Sequence, residues 1–126
     1  MLSKFLFLFI FILFCFVVAY PRIFGSKMDF DPNISLQLVK NGAILIDVRS
    51  ETEYKQGHIK GAVNIPHHEI KKNISKITEL IKNDEQYIVV YCKSGQRASI
   101  AKKKLMSLGL KNIVNHGSIS SWKSSP

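Results

Sequence analysis

The residue of this chain best suited to do chemistry is Cys92, which opens a short polar segment that ends in an arginine. This segment, the Cys92 loop, reads Cys92-Lys93-Ser94-Gly95-Gln96-Arg97. It follows an apolar run, Ile88–Tyr91, that is typical of a buried strand, and from Ala98 the apolar residues recur at helical spacing. In such a strand–loop–helix turn, backbone N–H groups and the positive end of the helix dipole point at the first loop residue.

A thiol in that position is expected to react as a thiolate, the nucleophilic form of cysteine. The same donors bind anions, so an anionic substrate or leaving group is predicted to contact Lys93, Ser94, Gly95, Gln96 and Arg97. The alternative is an inert cysteine at the end of a buried strand, as most lone cysteines are. Cysteine usage favours the reactive interpretation, because Cys15 lies in an apolar N-terminal run and leaves Cys92 as a free thiol.

The Cys92 loop and an upstream segment together resemble one protein family. The upstream segment, residues 45–66, reads LIDVRSETEYKQGHIKGAVNIP. With the loop, it resembles the rhodanese-like sulfurtransferase domain, in particular the small single-domain rhodaneses, and the likeness runs from about residue 34 to residue 122. Two positions depart from the family. Ser118 stands where the second of two glycines usually precedes a tryptophan, and Ala98 takes a place where a hydroxyl residue is common.

The resemblance implies a sulfurtransferase that needs no metal and no organic cofactor. Cys92 as thiolate would attack the outer sulfur of a donor such as thiosulfate, keep it as a persulfide and release the anionic remainder. A thiol or cyanide would then take the sulfur. The backbone N–H groups of residues 93–97 would cradle the persulfide, and the side chains of Lys93 and Arg97 would favour the anionic donor.

Two other classes of function could use a cysteine loop. Cysteine-dependent phosphatases and arsenate reductases place five residues between cysteine and arginine, whereas this loop has four and should be too tight for a phosphate-sized group. A membrane-tethered sulfur carrier or partner-binding module would use the same loop with little turnover of thiosulfate. Nothing in the loop separates such a carrier from an enzyme.

Three further residues are predicted to support the site rather than to react. Asp47 lies near the end of an apolar run, Ala43–Val48, that predicts a strand buried in a parallel sheet. A carboxylate there is usually held by backbone N–H groups or an arginine, so Asp47 and Arg49 are interpreted as structural supports of the neighbouring loops. His58 has no second histidine or cysteine at metal-ligand spacing, so it is predicted to pack within a loop, and no metal site is expected.

Composition and charge narrow the class of partner. The chain has 126 residues and a net charge of +9, and its hydrophobic content is raised by the apolar N-terminal run. A basic domain suits small anions, an anionic membrane surface or nucleic acid. No aromatic-interleaved basic patch or nucleic-acid motif is present in the sequence. We therefore expect small anions and a membrane surface as partners, and no nucleic acid.

Residues 1–20 are predicted to be a signal peptide or membrane anchor rather than part of the fold. Phe5–Ala19 contains no polar side chain and follows Lys4. At about 22 Å in helical form, the run is short for a membrane span, which favours a signal peptide. Val17 and Ala19 also stand at the −3 and −1 positions of a cleavage site. A cleaved signal and an uncleaved anchor of residues 5–20 both remain open, and both place the domain outside the cytoplasm, periplasmic or secreted.

The order of the remaining elements predicts one three-layer α/β domain with a small, mainly parallel sheet flanked by helices. Residues 21–32 are interpreted as a linker and residues 33–126 as the domain. A capping box at Ser50 and Glu53 predicts a helix over Glu51–Gln56. Sheets of this kind bind ligands at the carboxyl ends of their strands, where the Cys92 loop is predicted to lie.

Overall fold

The computed structural model describes residues 2–122, and it describes the side chains of residues 3–15 and 28–122. Its helices are α1 (Leu2–Lys27), α2 (Pro32–Lys40), α3 (Glu51–Gln56), α4 (Ile74–Leu80) and α5 (Gln96–Ser107). Its strands are β1 (Ile44–Asp47), β2 (Val63–Asn64), β3 (Ile88–Cys92) and β4 (Ile113–Ser118). Two short 3-10 helices lie at His67–Glu69 and Ile119–Ser121.

The four strands form one parallel sheet in the order β2-β1-β3-β4. Strand β3 lies between β1 and β4 and is buried at every position, which explains why its sequence is apolar throughout rather than alternating. Cys92 is the last residue of β3, and it pairs in register with Ser118 at the end of β4. The predicted small parallel sheet flanked by helices is confirmed.

Alternate residues of β3 point to opposite faces of the sheet, and each face buries its own apolar cluster. Cys92 lies in the cluster that contains Leu105 of α5. Tyr91 lies in the other cluster, against Leu38 of α2. The side chain of Cys92 is therefore on the α5 side of the sheet, where the helix that follows the Cys92 loop packs.

The predicted helix over Glu51–Gln56 is confirmed, because local hydrogen bonds define its start. Ser50 Oγ accepts a hydrogen bond from the Glu53 N–H at 3.2 Å and donates one to Glu53 Oε1 at 3.1 Å. This is the predicted capping box, and losing such a cap typically costs about 1 kcal/mol. Gly57 follows the last helical residue. The cap fixes the Glu53 side chain at the first turn of α3.

The N-terminal helix α1 carries a run of ten apolar residues, 5–14, whose side chains are 54–80% exposed. Within the described part of the chain, none of the helices combines the length and the apolar character of a membrane span. The predicted membrane segment is therefore not supported. The predicted cleavage point before Tyr20 and the predicted domain end at Pro126 lie outside the described side chains.

The segment predicted as a linker, residues 21–32, includes the end of α1 and contacts with the domain. The Asp29 carboxylate accepts hydrogen bonds from Lys102 Nζ at 2.7 and 2.8 Å and from the Asn115 N–H at 2.9 Å. The Phe30 N–H donates to the Asn115 carbonyl at 2.7 Å. These bonds hold the segment against β4 and α5.

Candidate active site

The Cys92 loop joins the carboxyl end of strand β3 to the N-terminus of α5. Cys92 Sγ accepts a hydrogen bond from the Gly95 N–H at 2.9 Å. Gly95 is the N-cap residue of α5. A backbone donor and the positive end of the helix dipole therefore meet at the sulfur, an arrangement that suits a sulfur atom carrying negative charge.

Helix α5 begins two residues earlier than its apolar spacing predicts. The predicted helical pattern starts at Ala98, whereas the helix begins at Gln96. Gly95 explains the difference, because its carbonyl accepts the first helical bond, from the Ser99 N–H at 3.0 Å. Gly95 has φ of 97°, a left-handed conformation that glycine adopts with little strain. The Cys92 loop therefore includes the last residue of β3 and the first two residues of α5.

Burial differs sharply within the loop. Cys92 is fully buried, whereas the side chains of Lys93, Ser94 and Gln96 are exposed. Burial fits the inert alternative that the sequence leaves open for Cys92. The Gly95 N–H directed at its sulfur favours the reactive interpretation, because an amide donor stabilises charge on sulfur.

Arg97 does not present a free guanidinium at the loop. It forms a two-bonded ion pair with Glu53 of α3, with N–O distances of 2.7 and 2.9 Å. The hydrogen bonds of this pair raise the pKa of Arg97 and lower the pKa of Glu53 to about 2. The positive charge that the sequence places beside the thiol is thus shared with a carboxylate.

Asp47 and Arg49 form a buried, hydrogen-bonded pair. Asp47 accepts hydrogen bonds from the Arg49 N–H at 2.9 Å and from the Arg49 guanidinium at 2.6–3.1 Å. It also accepts one from the Tyr91 hydroxyl at 2.8 Å, and burial raises the pKa of Tyr91. Arg49 Nη2 donates to the Gly57 carbonyl at 2.7 Å. The pair connects the end of β1 with β3 and with the end of α3.

His58 lies against the helix that precedes it. Its ring stacks on Tyr54 with the centroids 3.7 Å apart, and its Nδ1 lies 2.9 Å from the Tyr54 carbonyl oxygen. Among the residues that the structure describes, no group of three His, Cys, Asp or Glu side chains could hold a metal ion. The structure therefore gives His58 a packing position within its loop.

Comparison with known protein families decides which class of cysteine loop this is. The chain matches the family described as Rhodanese-like domain over residues 32–125, a range that includes the whole site. The chain belongs to the rhodanese-like family. The resemblance inferred from residues 45–66 and the Cys92 loop is confirmed. Relatives named as sulfurtransferases and as a sulfur carrier support rhodanese-type sulfur transfer.

Several relatives of this rhodanese-like chain are sulfurtransferases or sulfur carriers by name. It is 35% identical over 116 residues to a putative mitochondrial thiosulfate sulfurtransferase of Schizosaccharomyces pombe, covering 77% of each chain. It is 38% identical over 74 residues to the thiosulfate sulfurtransferase PspE of Escherichia coli, covering 59% of this chain and 68% of that one. It is 34% identical over 92 residues to the putative sulfur carrier protein YrkF of Bacillus subtilis, covering 73% of this chain but 42% of that one.

Solved structures share the rhodanese-like fold. An E. coli rhodanese with bound anions has a TM-score of 0.58 and 30% identity, over 68% of this chain and 95% of that one. The human single-domain sulfurtransferase TSTD1 has a TM-score of 0.63 and 29% identity, over 75% of this chain and 94% of that one. The domain thus resembles small sulfurtransferases that consist almost entirely of this fold.

Three polar residues of this rhodanese-like site were not predicted from the sequence as site residues. Glu53 pairs with Arg97, Ser118 Oγ donates to the Lys93 carbonyl at 2.6 Å, and Asn115 Nδ2 donates to the Gly95 carbonyl at 3.3 Å. The sequence contained features that could have pointed to two of these residues. Glu53 belongs to a capping box, and Ser118 occupies a usual glycine position. Asn115 gave no signal, because its neighbours in space lie far from it in sequence.

Proposed function

We propose that this chain is a sulfurtransferase that carries a sulfane sulfur as a persulfide on Cys92, with thiosulfate as donor and a thiol or cyanide as acceptor. The observation that carries the proposal is the Cys92 sulfur at the N-terminus of α5 with the Gly95 N–H directed at it. The thiosulfate sulfurtransferases among its relatives support the donor.

In the first half-reaction, the Cys92 thiolate attacks the outer sulfur of thiosulfate. A sulfur–sulfur bond forms to Sγ as the bond between the outer sulfur and the sulfonate breaks, and sulfite leaves with the electron pair. The product is a negatively charged persulfide. Amide donors of the Cys92 loop stabilise that charge in the same way as they bind an oxyanion.

In the second half-reaction, a thiolate or cyanide attacks the outer sulfur of the persulfide. The bond to Sγ breaks, and Cys92 leaves as the thiolate that began the cycle. The acceptor carries the sulfur away as a persulfide or as thiocyanate. No net oxidation occurs, because the sulfane sulfur moves between nucleophiles without an external electron acceptor.

Access to Cys92 is part of the proposal. Because Cys92 is fully buried, a donor reaches Sγ only when the loop over it moves. The exposed side chains of Lys93, Ser94 and Gln96 add little packing that would oppose this movement. The bonds that oppose it run from Ser118 to the Lys93 carbonyl and from Asn115 to the Gly95 carbonyl. We expect donor binding and loop opening to be coupled.

A second candidate function is a sulfur carrier that hands sulfur to a partner protein with little turnover of thiosulfate. The relationship to the putative sulfur carrier of Bacillus subtilis favours it, although this chain matches less than half of that protein's length. Both functions require the same persulfide. They differ in how often Cys92 is reloaded and discharged.

Steady-state assays on the full-length chain separate the two functions. With thiosulfate and cyanide in excess, an enzyme forms many equivalents of thiocyanate per chain, whereas a carrier forms about one. Cys92→Ser should form none, and Cys15→Ser should behave as the wild type. A chain that forms the persulfide but turns over once would point to the carrier, and a chain that forms neither product would contradict both.

The proposal also includes a location outside the cytoplasm. The apolar run Phe5–Ala19 behind a single positive charge, Lys4, supports export. A reporter that is active only after export, fused to Pro126, should be active, and an inactive reporter on a stable fusion would contradict export. Loss of about 2 kDa would indicate cleavage before Tyr20, whereas an uncut fusion that resists carbonate washing would indicate an anchor.

A further inference from the structure

Ser118 contacts the backbone of the Cys92 loop through a hydrogen bond that a glycine could not make. Its Oγ donates to the Lys93 carbonyl at 2.6 Å. Ser118 lies at the end of β4, directly beside Cys92 in the register of the parallel sheet. The residue that departs from the family pattern thus holds the first peptide carbonyl after the cysteine.

The hydroxyl of Ser118 is fixed in this direction by its other contacts. Oγ accepts a hydrogen bond from the Ser120 N–H at 3.2 Å and lies 2.7 Å from Ser120 Oγ. A hydroxyl has one proton to donate, and that proton goes to the Lys93 carbonyl. Ser120 Oγ is therefore the donor between the two hydroxyls. Ser118 can neither rotate nor exchange its donor bond without losing these contacts.

A second carbonyl of the loop is held from the same strand. The Gly95 carbonyl accepts from Asn115 Nδ2 at 3.3 Å and from the Ser99 N–H at 3.0 Å. Asn115 is itself fixed, because it is buried and its Oδ1 accepts the Gly117 N–H at 2.8 Å. Strand β4 therefore binds alternate carbonyls of the loop, those of residues 93 and 95.

Holding a carbonyl also sets the direction of the next amide. In a planar trans peptide, the C=O and the following N–H point in opposite directions. The bond from Ser118 to the Lys93 carbonyl therefore turns the Ser94 N–H away from β4. The Gly95 N–H, the next along the chain, already meets Cys92 Sγ at 2.9 Å. A Ser94 N–H on the same side as the Gly95 N–H would complete a concave binding site for anions.

We propose that Ser118 is a positioning residue for the persulfide: its hydroxyl holds the 93–94 peptide so that the Ser94 N–H faces the outer sulfur bound to Cys92. This inference rests on the proposed sulfur transfer. The Gly95 N–H binds Sγ itself, and the Ser94 N–H stabilises the charge that develops one atom farther out. Without the Ser118 hydroxyl, the 93–94 peptide can rotate, and that donor is lost from the outer sulfur.

The test compares four variants of the full-length chain in their rate of persulfide formation from thiosulfate. Ser118→Ala and Ser118→Gly should form it about tenfold more slowly, the effect of one lost hydrogen bond to a charged group. Ser118→Thr keeps the hydroxyl and should recover most of the rate. Ser107→Ala is the matched control, because Ser107 Oγ also donates to a backbone carbonyl, that of Lys104 at 2.7 Å, at the end of α5 away from the Cys92 loop.

A second readout separates positioning from a loss of stability. Alkylation of sulfur-free Cys92 by iodoacetamide should not become slower in Ser118→Ala, because the Gly95 N–H on Sγ remains and loss of the Ser118 bond makes the loop easier to open. Decay of the preformed persulfide should be faster than in the wild type. Equal rates of persulfide formation in Ser118→Ala and the wild type would overturn the inference, as would a Ser118→Thr variant as slow as Ser118→Ala.

Failure of the proposed function would give a different result. If the wild type forms no persulfide, sulfur transfer fails, and NMR then tests the positioning by itself. Ser118→Ala should change the carbonyl carbon shift of Lys93 and the amide shifts of Ser94, whereas Ser107→Ala should leave both close to wild type. Unchanged shifts in Ser118→Ala would overturn the positioning role independently of any reaction.

Discussion

The Arg97 guanidinium and the Glu53 carboxylate form a two-bonded ion pair between residues 44 positions apart in sequence, at 2.7 and 2.9 Å. The pair brings the first turn of α3 to the first turn of α5, beside the loop that carries Cys92. An anionic donor near Arg97 therefore meets a carboxylate as well as a cation. The guanidinium has further N–H groups beyond the two that bind Glu53, so it can contact the donor without breaking the pair.

Arg97→Ala should weaken apparent thiosulfate binding, because it removes charge-assisted hydrogen bonds and leaves the Glu53 carboxylate unpaired. We expect a rise in KM of about ten- to a hundredfold, with Cys92 still able to form the persulfide. Glu53→Gln should lower KM by a few fold, since a like charge beside the donor disappears. Steady-state kinetics of both variants and of the double variant give the coupling between the two residues.

A matched control for charge removal is Lys102→Ala. Lys102 also lies on α5 in an ion pair, with Asp29 at 2.7 Å, but it does not belong to the Cys92 loop. Its loss should leave KM for thiosulfate within about twofold, because its charge is already paired with Asp29 and lies outside the Cys92 loop. If Glu53→Gln raised KM as much as Arg97→Ala, the role of Arg97 would be to hold α3 against the loop rather than to bind the donor.

Glu53 should make the stability of the domain sensitive to acid. Its pKa is lowered from 4.5 to about 2, chiefly by the hydrogen bonds from Arg97. The folded state therefore binds this proton less readily than the unfolded state, so the stabilisation is complete above about pH 4.5 and is lost as the pH falls towards 2. Both side chains are 29% exposed, and solvent screening limits the effect to about 1 kcal/mol.

Urea unfolding at several pH values measures this contribution. The difference in free energy of unfolding between the wild type and Glu53→Gln should shrink as the pH falls from 4.5 towards 2. Glu51→Gln provides the comparison on the same helix, because Glu51 pairs with Lys55 but is 70% exposed, and its variant should show a smaller pH-dependent difference. If the difference in free energy of unfolding between the wild type and Glu53→Gln stayed constant over this pH range, the lowered pKa of Glu53 would be contradicted.

Tyr91→Phe should destabilise the domain without removing a reacting group. The hydroxyl donates to Asp47 at 2.8 Å and accepts from the Ile59 N–H at 3.1 Å, so its loss leaves buried partners short of a hydrogen bond. We expect a loss of about 1–3 kcal/mol in the free energy of unfolding. Tyr54→Phe removes one half-buried hydrogen bond, to the Ala62 carbonyl, and should lower the free energy of unfolding by less. Equal stability of Tyr91→Phe and the wild type would mean that water replaces the hydroxyl.

Features set by residues close together in the sequence could be predicted, whereas features set by distant residues could not. The helix over Glu51–Gln56 was predicted to the residue, because its capping box lies within four consecutive positions. The buried strand before Cys92 was also predicted, since an all-apolar run of β-branched residues is typical of a central parallel strand. The start of α5 was predicted two residues too late. Apolar spacing does not reveal a first turn made of polar residues, and this turn follows a glycine in the left-handed conformation.

The partners of the site were harder to predict than its elements. The sequence placed Arg97 and Lys93 beside the thiol, but not the Glu53 carboxylate that binds Arg97 or the Ser118 hydroxyl that binds the Lys93 carbonyl. Both contacts depend on how α3 and β4 pack against the loop. Hydrogen bonds between side chains so far apart in sequence leave no local pattern, and the family resemblance marked only the position of Ser118.

Mass spectrometry of the full-length, reduced chain after exposure to thiosulfate shows whether Cys92 carries the transferred sulfur. We expect a gain of about 32 Da, one sulfur atom, on the peptide that contains Cys92. The gain should be absent from Cys92→Ser, present in Cys15→Ser, and reversed by cyanide or a thiol. A folded and reduced wild-type chain that gains no sulfur on Cys92 would contradict the proposed function.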